Sequence, residues 1–370
     1  MVTGTTTNLK ALSFPDALNG FAVGDSGRIV KTTDAGESWS ILASGTQTNL
    51  KGVSFPTANN GFAVGESGKI IRTINGGSTW QSQVSGTIQY LNSVTFLDGN
   101  NGWVAGDWGT ILKTTDGGAN WATKSSGTSR YLKAIFFVNA NTGYAVGTWG
   151  TIIKTTDGGS TWTTLQSYGE LSTFTGIFFT DENTGFVVGN SGTILKTTDG
   201  GVTWLPYYND LYESLQSVYF QDANTGYVAG ASGTIQMTTD GGLTWTLQRS
   251  GTGQALNGVC ITAGHMGFAA GDYGTILKTG DVGVWVAPSP KQAEIHILPN
   301  PAMDRITIEI PDFTGNGTLT ISTMSGQEVM TVRVNESRST LDISNLVNGV
   351  YLIRFAGKDF IRTGKLVKLD

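Results

Sequence analysis

The chain has 370 residues, 14% of them charged and 39% hydrophobic, with a net charge of −5 that lies in the first 290 residues, because residues 291–370 balance nine basic against nine acidic side chains. That mild acidity excludes the basic footprint a nucleic-acid partner requires. One cysteine, Cys260, and two separated histidines, His265 and His296, exclude an internal disulfide and leave nothing for a cysteine or zinc cluster, so no metal and no cofactor is expected.

The chain opens on Met-Val-Thr-Gly-Thr-Thr-Thr, which has neither the basic nor the apolar segment of a secretory leader, and no later apolar run approaches the roughly 18 residues of a membrane span. Thr3-Gly4-Thr5 matches Ser44-Gly45-Thr46, Ser85-Gly86-Thr87, Ser126-Gly127-Thr128 and Ser250-Gly251-Thr252 further on. Then comes a segment typified by Lys113-Thr-Thr-Asp-Gly-Gly-Ala-Asn-Trp121, with copies over 31–39, 72–80, 154–162, 196–204, 237–245 and, one residue shorter, 278–285. The closing tryptophans stand at 39, 80, 121, 162, 204, 245 and 285, a 41-residue period with one step of 42 and one of 40. A fixed period of this size marks a repeat architecture.

Each repeat reads as four short strands. In the third copy they are 91–97, 103–106, 110–114 and 121–125, separated by Gly, Asn and Asp turns. Four strands per unit predict a propeller blade, and seven blades closed into a ring remove the outer sheet edges. Two aromatic columns support this. The second strand opens on Phe21, Phe62, Trp103, Tyr144, Phe186, Tyr227 or Phe268, and the first ends on Phe14, Phe55, Phe96, Phe137, Phe179, Phe220 or Ile261. Both are expected to fill the space between blades. In the box itself, Asp34, Asn75, Asp116, Asp157, Asp199, Asp240 and Asp281 are read as structural, each heading a tight turn and accepting amides about two residues on.

This Thr-x-Asp-x-Gly-x-Thr-Trp motif resembles the Asp box, or bacterial neuraminidase repeat. The fuller pattern around it is similar to the photosystem II stability/assembly factor family of seven-bladed propellers, over about residues 1–287. The resemblance implies a fold and says little of function. Sialidases with this box use three arginines on the substrate carboxylate, and the propeller holds only Arg28, Arg72, Arg130 and Arg249, two of them in strand columns. Because Thr3 aligns with residues that follow an outermost strand, the missing strand of the last blade is expected upstream of Met1, lost with a signal peptide; the alternative is that residues 284–287 supply it.

Residues 288–296, rich in Pro, Ser and Gln, read as a linker. Alternating runs over 306–310, 319–322, 328–334, 339–343, 350–355 and 364–369 then predict a small antiparallel β-sandwich over 297–370. The fold class is thus all-β, a seven-bladed β-propeller followed by a sandwich. Leu298-Pro-Asn-Pro301, Asn348-Gly-Val-Tyr-Leu-Ile353 and Gly364-Lys-Leu-Val-Lys368 together resemble the C-terminal sorting domain of type IX secretion cargo in Bacteroidota. That resemblance implies a secreted or outer-surface protein whose residues 297–370 engage the type IX machinery.

Departures from the repeat mark candidate sites. Where other copies carry Ser after the second strand, three carry Trp108, Trp149 and Tyr273. The connections between blades add Tyr90, Arg130, Tyr131, Tyr168, Tyr207, Tyr208 and Tyr212. These rings are read as a platform on blades three to six for a glycan or protein ligand, or else as plugs of the channel mouth. The same turns carry Asp25, Glu66, Asp107 and Asp272, an acidic arc expected to face the aromatic one, as a cation site, a glycosidase-like pair, or plain turn caps facing water. No catalytic residue is assigned. The expected function is a non-enzymatic binding or adhesion propeller. The alternatives are a polysaccharide-active glycosidase or lyase using those carboxylates, and an assembly-factor-like propeller that holds a protein segment.

Overall fold

The computed structural model describes residues 3–165, 172–207, 212–262, 264–279, 285–286, 295–310, 313, 315–323, 327–357 and 361–369. The chain divides into two units, Met1–Pro288 and Ser289–Asp370. The first consists of seven four-stranded antiparallel sheets, each built from four consecutive strands in sequence order. We call them blades 1 to 7. Blade 1 comprises Leu9–Ser13, Gly20–Gly24, Ile29–Thr32 and Ser40–Leu42; the first strands of the others are Leu50–Ser54, Leu91–Phe96, Leu132–Phe137, Phe174–Phe179, Leu215–Phe220 and Leu256–Ile261. Every second strand is buried along its whole length, which explains why segments such as Gly20–Gly24 (GFAVG) read as unbroken apolar runs rather than alternating ones.

Seven apolar clusters hold the blades together, and each draws residues from two neighbours, such as Phe21, Val23 and Ile29 with Leu50, Val53 and Phe55. The two aromatic columns meet inside them. Phe21 stacks on Phe55 of the next blade with ring centroids 3.6 Å apart, Trp103 on Phe137 at 3.7 Å, and Tyr144 on Phe179 at 4.1 Å. The box tryptophan of the second blade closes the set edge-on, as Trp80 does against Phe55 at 86°. Where the column residue has a polar handle it is used: Trp103 Nε1 donates to the Gly158 carbonyl and Tyr144 Oη to that of Gly200, and burial pushes the Tyr144 pKa up to about 12. The box lysines add a second tie, with Lys31, Lys154 and Lys196 donating to Gly76, Gly200 and Gly241 of the following blade.

The box turn is built by one threonine and one carboxylate. Thr114 Oγ1 donates to Asp116 Oδ1 and accepts the Gly118 amide, while Asp116 accepts the amide and side chain of Asn120. The reach is four residues on, where the sequence suggested two, because the carboxylate spans the whole loop instead of one turn. Asn75 does the same with its amide oxygen, accepting the Thr79 amide at 2.9 Å, and its Nδ2 donates to the Thr79 hydroxyl. The second box glycine has two reasons to be glycine. At Gly118 φ is +78°, and a Cβ would lie 2.5 Å from Phe62 of the preceding blade.

Blade 7 closes on blade 1 through Leu9, Ala22, Val30, Trp39, Phe268, Ala270 and Ile276. Its outermost position is taken by Trp285–Val286, paired with Ile276–Thr279, where a strand from upstream of Met1 was expected. Thr3 does for this blade what the repeated serines do elsewhere: its Oγ1 donates to the Thr5 carbonyl as Ser44 Oγ does to that of Thr46, and a Cβ on Gly274 would meet Thr5 O at 2.0 Å just as one on Gly27 would meet Thr46 O.

In the second unit one sheet contains His296–Leu298, Arg305–Glu309 and Arg338–Asp342, and the other Glu328–Val334, Gly317–Thr323, Gly349–Ala356 and Ile361–Lys368. Ile297, Ile306, Ile308, Leu319, Ile321, Tyr351, Ile353 and Phe355 are among the residues of its shared core. The first strand begins at His296, inside the stretch read as linker. The sequence landmarks bind one another: Asn300 Nδ2 donates to Lys365 O and Asn300 Oδ1 accepts the Val367 amide. Tyr351 Oη donates to Val347 O, four residues upstream, tying the second landmark to its own turn.

Candidate functional site on the turn face

The hairpin geometry gives each blade two unlike ends. At one end the box turn lies against the loop between the first two strands, as in Ala35 N to Leu18 O and Gly117 N to Asn100 O. At the other end the turn after the second strand lies against the connection between blades, as in Gly109 N to Arg130 O and Gly150 N to Ser172 O. Every candidate ring and acid that is described, Tyr207 excepted, belongs to this second end, the turn face.

The turn after the second strand imposes a left-handed backbone on its middle residue. Ser26, Ser67, Ser191 and Ser232 sit there at φ 53–54°, and Trp108, Trp149 and Tyr273 at 57°, 61° and 55°. Glycine follows each of them, and at Gly27, Gly68, Gly109, Gly233 and Gly274 a Cβ would strike the neighbouring connection. A left-handed conformation costs a non-glycine residue about 1–2 kcal/mol, so a bulky ring is a poor choice for it. These rings recover little by packing, since Trp108 is 60%, Trp149 51% and Tyr273 68% exposed.

Two of the three belong to one surface. Trp108 of blade 3 meets Tyr131 edge-on at 5.5 Å, and the Arg130 guanidinium lies over the Trp149 ring at 4.7 Å. Lys133 Nζ approaches Tyr131 at 5.2 Å, and Lys51 Nζ approaches Tyr90 at 5.3 Å on the side of blade 2. Tyr273 is on blade 7, separated from this group by blades 5 and 6 one way and blades 1 and 2 the other, so the three rings do not form one cluster as expected. Tyr212 is exposed in the connection to blade 6. Tyr207 is not in that connection. It ends the outermost strand Leu205–Tyr207 and packs, half-buried, against the cluster of Phe186 and Phe220. Tyr168, Tyr208 and Asp281 lie outside the described residues.

The acids do not form an arc opposite the rings: Asp107 and Asp272 stand beside Trp108 and Tyr273, and Asp25 and Glu66 beside Ser26 and Ser67. Asp107, next to Trp108, accepts Asn92 Nδ2 at 2.7 Å and Lys133 Nζ at 3.0 Å. Asp272, next to Tyr273, accepts Asn257 Nδ2 at 2.9 Å and Lys10 Nζ at 3.4 Å. Asp25 is bonded by Asn8 with Lys10 3.8 Å away, and Glu66 by Asn49 with Lys51 3.5 Å away. Each carboxylate is therefore partnered and partly buried rather than capping a turn in open water. The lysines were missed in the sequence reading. They occupy the second residue of the first strand, where Lys10, Lys51 and Lys133 join Asn92, Thr175, Gln216 and Asn257 around a cavity of about 480 Å³ lined by all seven blades.

On the box face the carboxylate pKa values are displaced downward. In Asp116 the Asn120 side chain, in Asp199 the Thr203 side chain and in Asp240 the Thr244 side chain hold the group at about 2. In Asp34 burial pulls upward but is outweighed by Ser38 and Thr32, with the same result. Burial alone pushes the free Cys260 thiol up. Among the described residues no group of three or more His, Cys, Asp or Glu gathers to hold a metal ion, and no helix is long and apolar enough to cross a membrane.

Comparison with known proteins agrees with this architecture. Residues 37–128 match the photosynthesis system II assembly factor YCF48 family, and residues 296–369 match the secretion system C-terminal sorting domain. No curated protein sequence matches the chain. Among solved structures, YCF48 bound to D1 peptide superposes with TM-score 0.63 at 20% identity, covering 74% of this chain and 92% of that one. YCF48 from Cyanidioschyzon merolae gives the same score and identity, over 74% and 96%. The Niastella koreensis GH74 enzyme gives 0.62 at 14% identity, over 99% of this chain and 73% of its own. The chain thus joins an Asp-box β-propeller, similar to the YCF48 assembly factors, to a type IX sorting domain that directs export to the cell surface or the extracellular space.

Proposed function

We propose that the exported propeller is a binding or adhesion module that captures an extended ligand on the turn face of blades 3 and 4, without chemistry. One observation carries this reading: Trp108 and Trp149 hold more than half their surface in water from a backbone conformation that disfavours them. A flat ring presented in this way offers contact area at low cost in side-chain entropy. Tyr131 and Tyr90 widen the platform. The carboxylates beside it support binding over hydrolysis, because Asp25, Glu66, Asp107 and Asp272 are each already held by an amide and faced by a lysine. A glycosidase acid needs its pKa raised, and raising it calls for an apolar or like-charged setting, the opposite of these.

The test is a screen of the full chain against immobilised polysaccharides and extended peptides, repeated with the Trp108→Ala/Trp149→Ala double variant. Binding is expected in the native chain and lost in the variant. A bound ligand that the double variant retains unchanged would move the site to another face, and turnover of the bound polymer would make the protein an enzyme. Capture of peptides alone would favour the assembly-factor reading.

A further inference from the structure

We infer that the ligand of this face is an anionic polysaccharide, whose negative group is read by Arg130. This deepens the binding reading above and rests on it. Arg130 is exposed, its guanidinium carbon lies 4.7 Å from the centre of the Trp149 ring, and among the described residues it has no carboxylate partner. Lys10, Lys51 and Lys133, by contrast, are all committed to the acids around the cavity. The acids themselves stop short of it. Blades 7, 1, 2 and 3 carry Asp272, Asp25, Glu66 and Asp107 in their turns, whereas blades 4, 5 and 6 carry Thr148, Asn190 and Ala231. Arg130 thus stands at the boundary where the acidic turns, each already paired with a lysine, give way to neutral ones. A guanidinium already resting over an indole has less freedom to lose when its forked N–H donors meet a carboxylate or a sulfate ester.

The backbone points to a sugar rather than a peptide. An extended peptide is held chiefly by main-chain hydrogen bonds to a free strand edge, and here the main chain is already satisfied. Arg130 N bonds Thr128 Oγ1, Tyr131 N bonds Thr148 Oγ1, Thr148 N bonds Tyr131 O and Gly109 N bonds Arg130 O. What the site offers is ring surface from Trp108, Tyr131 and Trp149 beside the Arg130 guanidinium. A sugar ring with its C–H face on an indole and its charge turned toward Arg130 uses both.

The experiment compares polygalacturonate with its fully methyl-esterified form, which keeps the backbone and removes the charge, and adds carrageenan as a sulfate ester and agarose as its neutral counterpart. Binding of the full chain is measured by titration at two salt concentrations. One charged polymer is expected to bind about 10-fold or more tightly than its neutral counterpart, the weight of one charge-assisted hydrogen bond, and to weaken with salt. Whichever charged polymer binds identifies the anion as carboxylate or sulfate. Arg130→Gln should bring the charged polymer down to the neutral one, and Arg130→Lys should recover only part, while Trp108→Ala should weaken both. Equal binding of charged and neutral forms, or a preference that survives Arg130→Gln, overturns the inference while leaving the binding face intact. Failure of all four polymers overturns the inference, and capture of peptides in the earlier screen then identifies a protein ligand on the same face. The Arg130 side chain is exposed and its backbone bonds do not depend on it, so an unchanged thermal midpoint is the folding control.

Discussion

The two faces of the propeller are made by the same repeat and obey opposite rules. On the box face each of the six described boxes carries the same Thr–Asp or Thr–Asn bond, the same left-handed glycine and the same edge-on tryptophan, and one residue's loss is felt by two blades. On the turn face the backbone is just as regular, yet the side chains change from serine to tryptophan, and from acid to neutral, within a quarter of the ring. Regularity without packing demand leaves side chains available for other work. The comparison teaches that in a repeat protein a fixed backbone with varied side chains points to function more directly than any motif does.

The sharpest way to break this contrast sets two tryptophans five residues apart against each other. Trp103 is 1% exposed, stacked on Phe137 and bonded to Gly158, so Trp103→Ala should cost about 3–5 kcal/mol, in the usual range for a buried aromatic. Trp108→Ala should stay within about 0.5 kcal/mol, as exposed substitutions do. All ten tryptophans precede residue 286, so intrinsic fluorescence follows the unfolding of the propeller alone. Similar losses from both variants would mean that Trp108 is part of the core of the ring and not a free surface.

The acid limb of stability gives a second, smaller contrast. Box carboxylates held near 2 when folded return to about 3.8 when the chain unfolds. A depressed folded pKa stabilises above the unfolded value and loses its effect as the pH falls through the folded one. The propeller should therefore keep its full stability above about pH 4 and lose it progressively toward pH 2. Blade 2, with Asn75, takes no part. Asp116→Asn should flatten the fall in midpoint between pH 5 and 2, and Asn75→Asp should steepen it. An Asp116→Asn variant with the native slope would remove the boxes as its source.

How much of this was legible follows from how local each feature is. The box, its period, the aromatic columns and the tail landmarks repeat or cluster within a few residues, and they appear in the structure where the sequence put them. The ties between Asp107 and Lys133, or Asp272 and Lys10, join residues 26 and 262 apart, across blade boundaries that no local pattern announces. A signal was present all the same: lysine stands in the first-strand column only beside blades with an acid in the turn. Tyr207 was misplaced for a simpler reason. Leu205-Pro206-Tyr207 occupies the same place after its box as Ser40–Leu42 does in blade 1, and its aromatic content drew attention away from that alignment. The left-handed backbone under Trp108, Trp149 and Tyr273 was also within reach, since a short polar serine followed by glycine fills the equivalent turn elsewhere.

That backbone supplies the finest test. At Tyr273 the ring is 68% exposed and φ is 55°, so glycine removes the steric cost of the left-handed state while giving up little contact. Relief of about 1–2 kcal/mol is offset in part by the greater freedom of glycine in the unfolded chain, about 0.5–1 kcal/mol. Tyr273→Gly should then raise propeller stability by up to about 1 kcal/mol, read as a higher denaturation midpoint with unchanged slope. The same reasoning predicts no such gain at Ser26, where a short polar side chain already suits the turn. A rise at Tyr273 would show a ring retained against the interest of the fold, which only a role outside the fold explains. A fall would show that Tyr273 packs on its surroundings, and it would leave Trp108 and Trp149 as the whole of the aromatic surface.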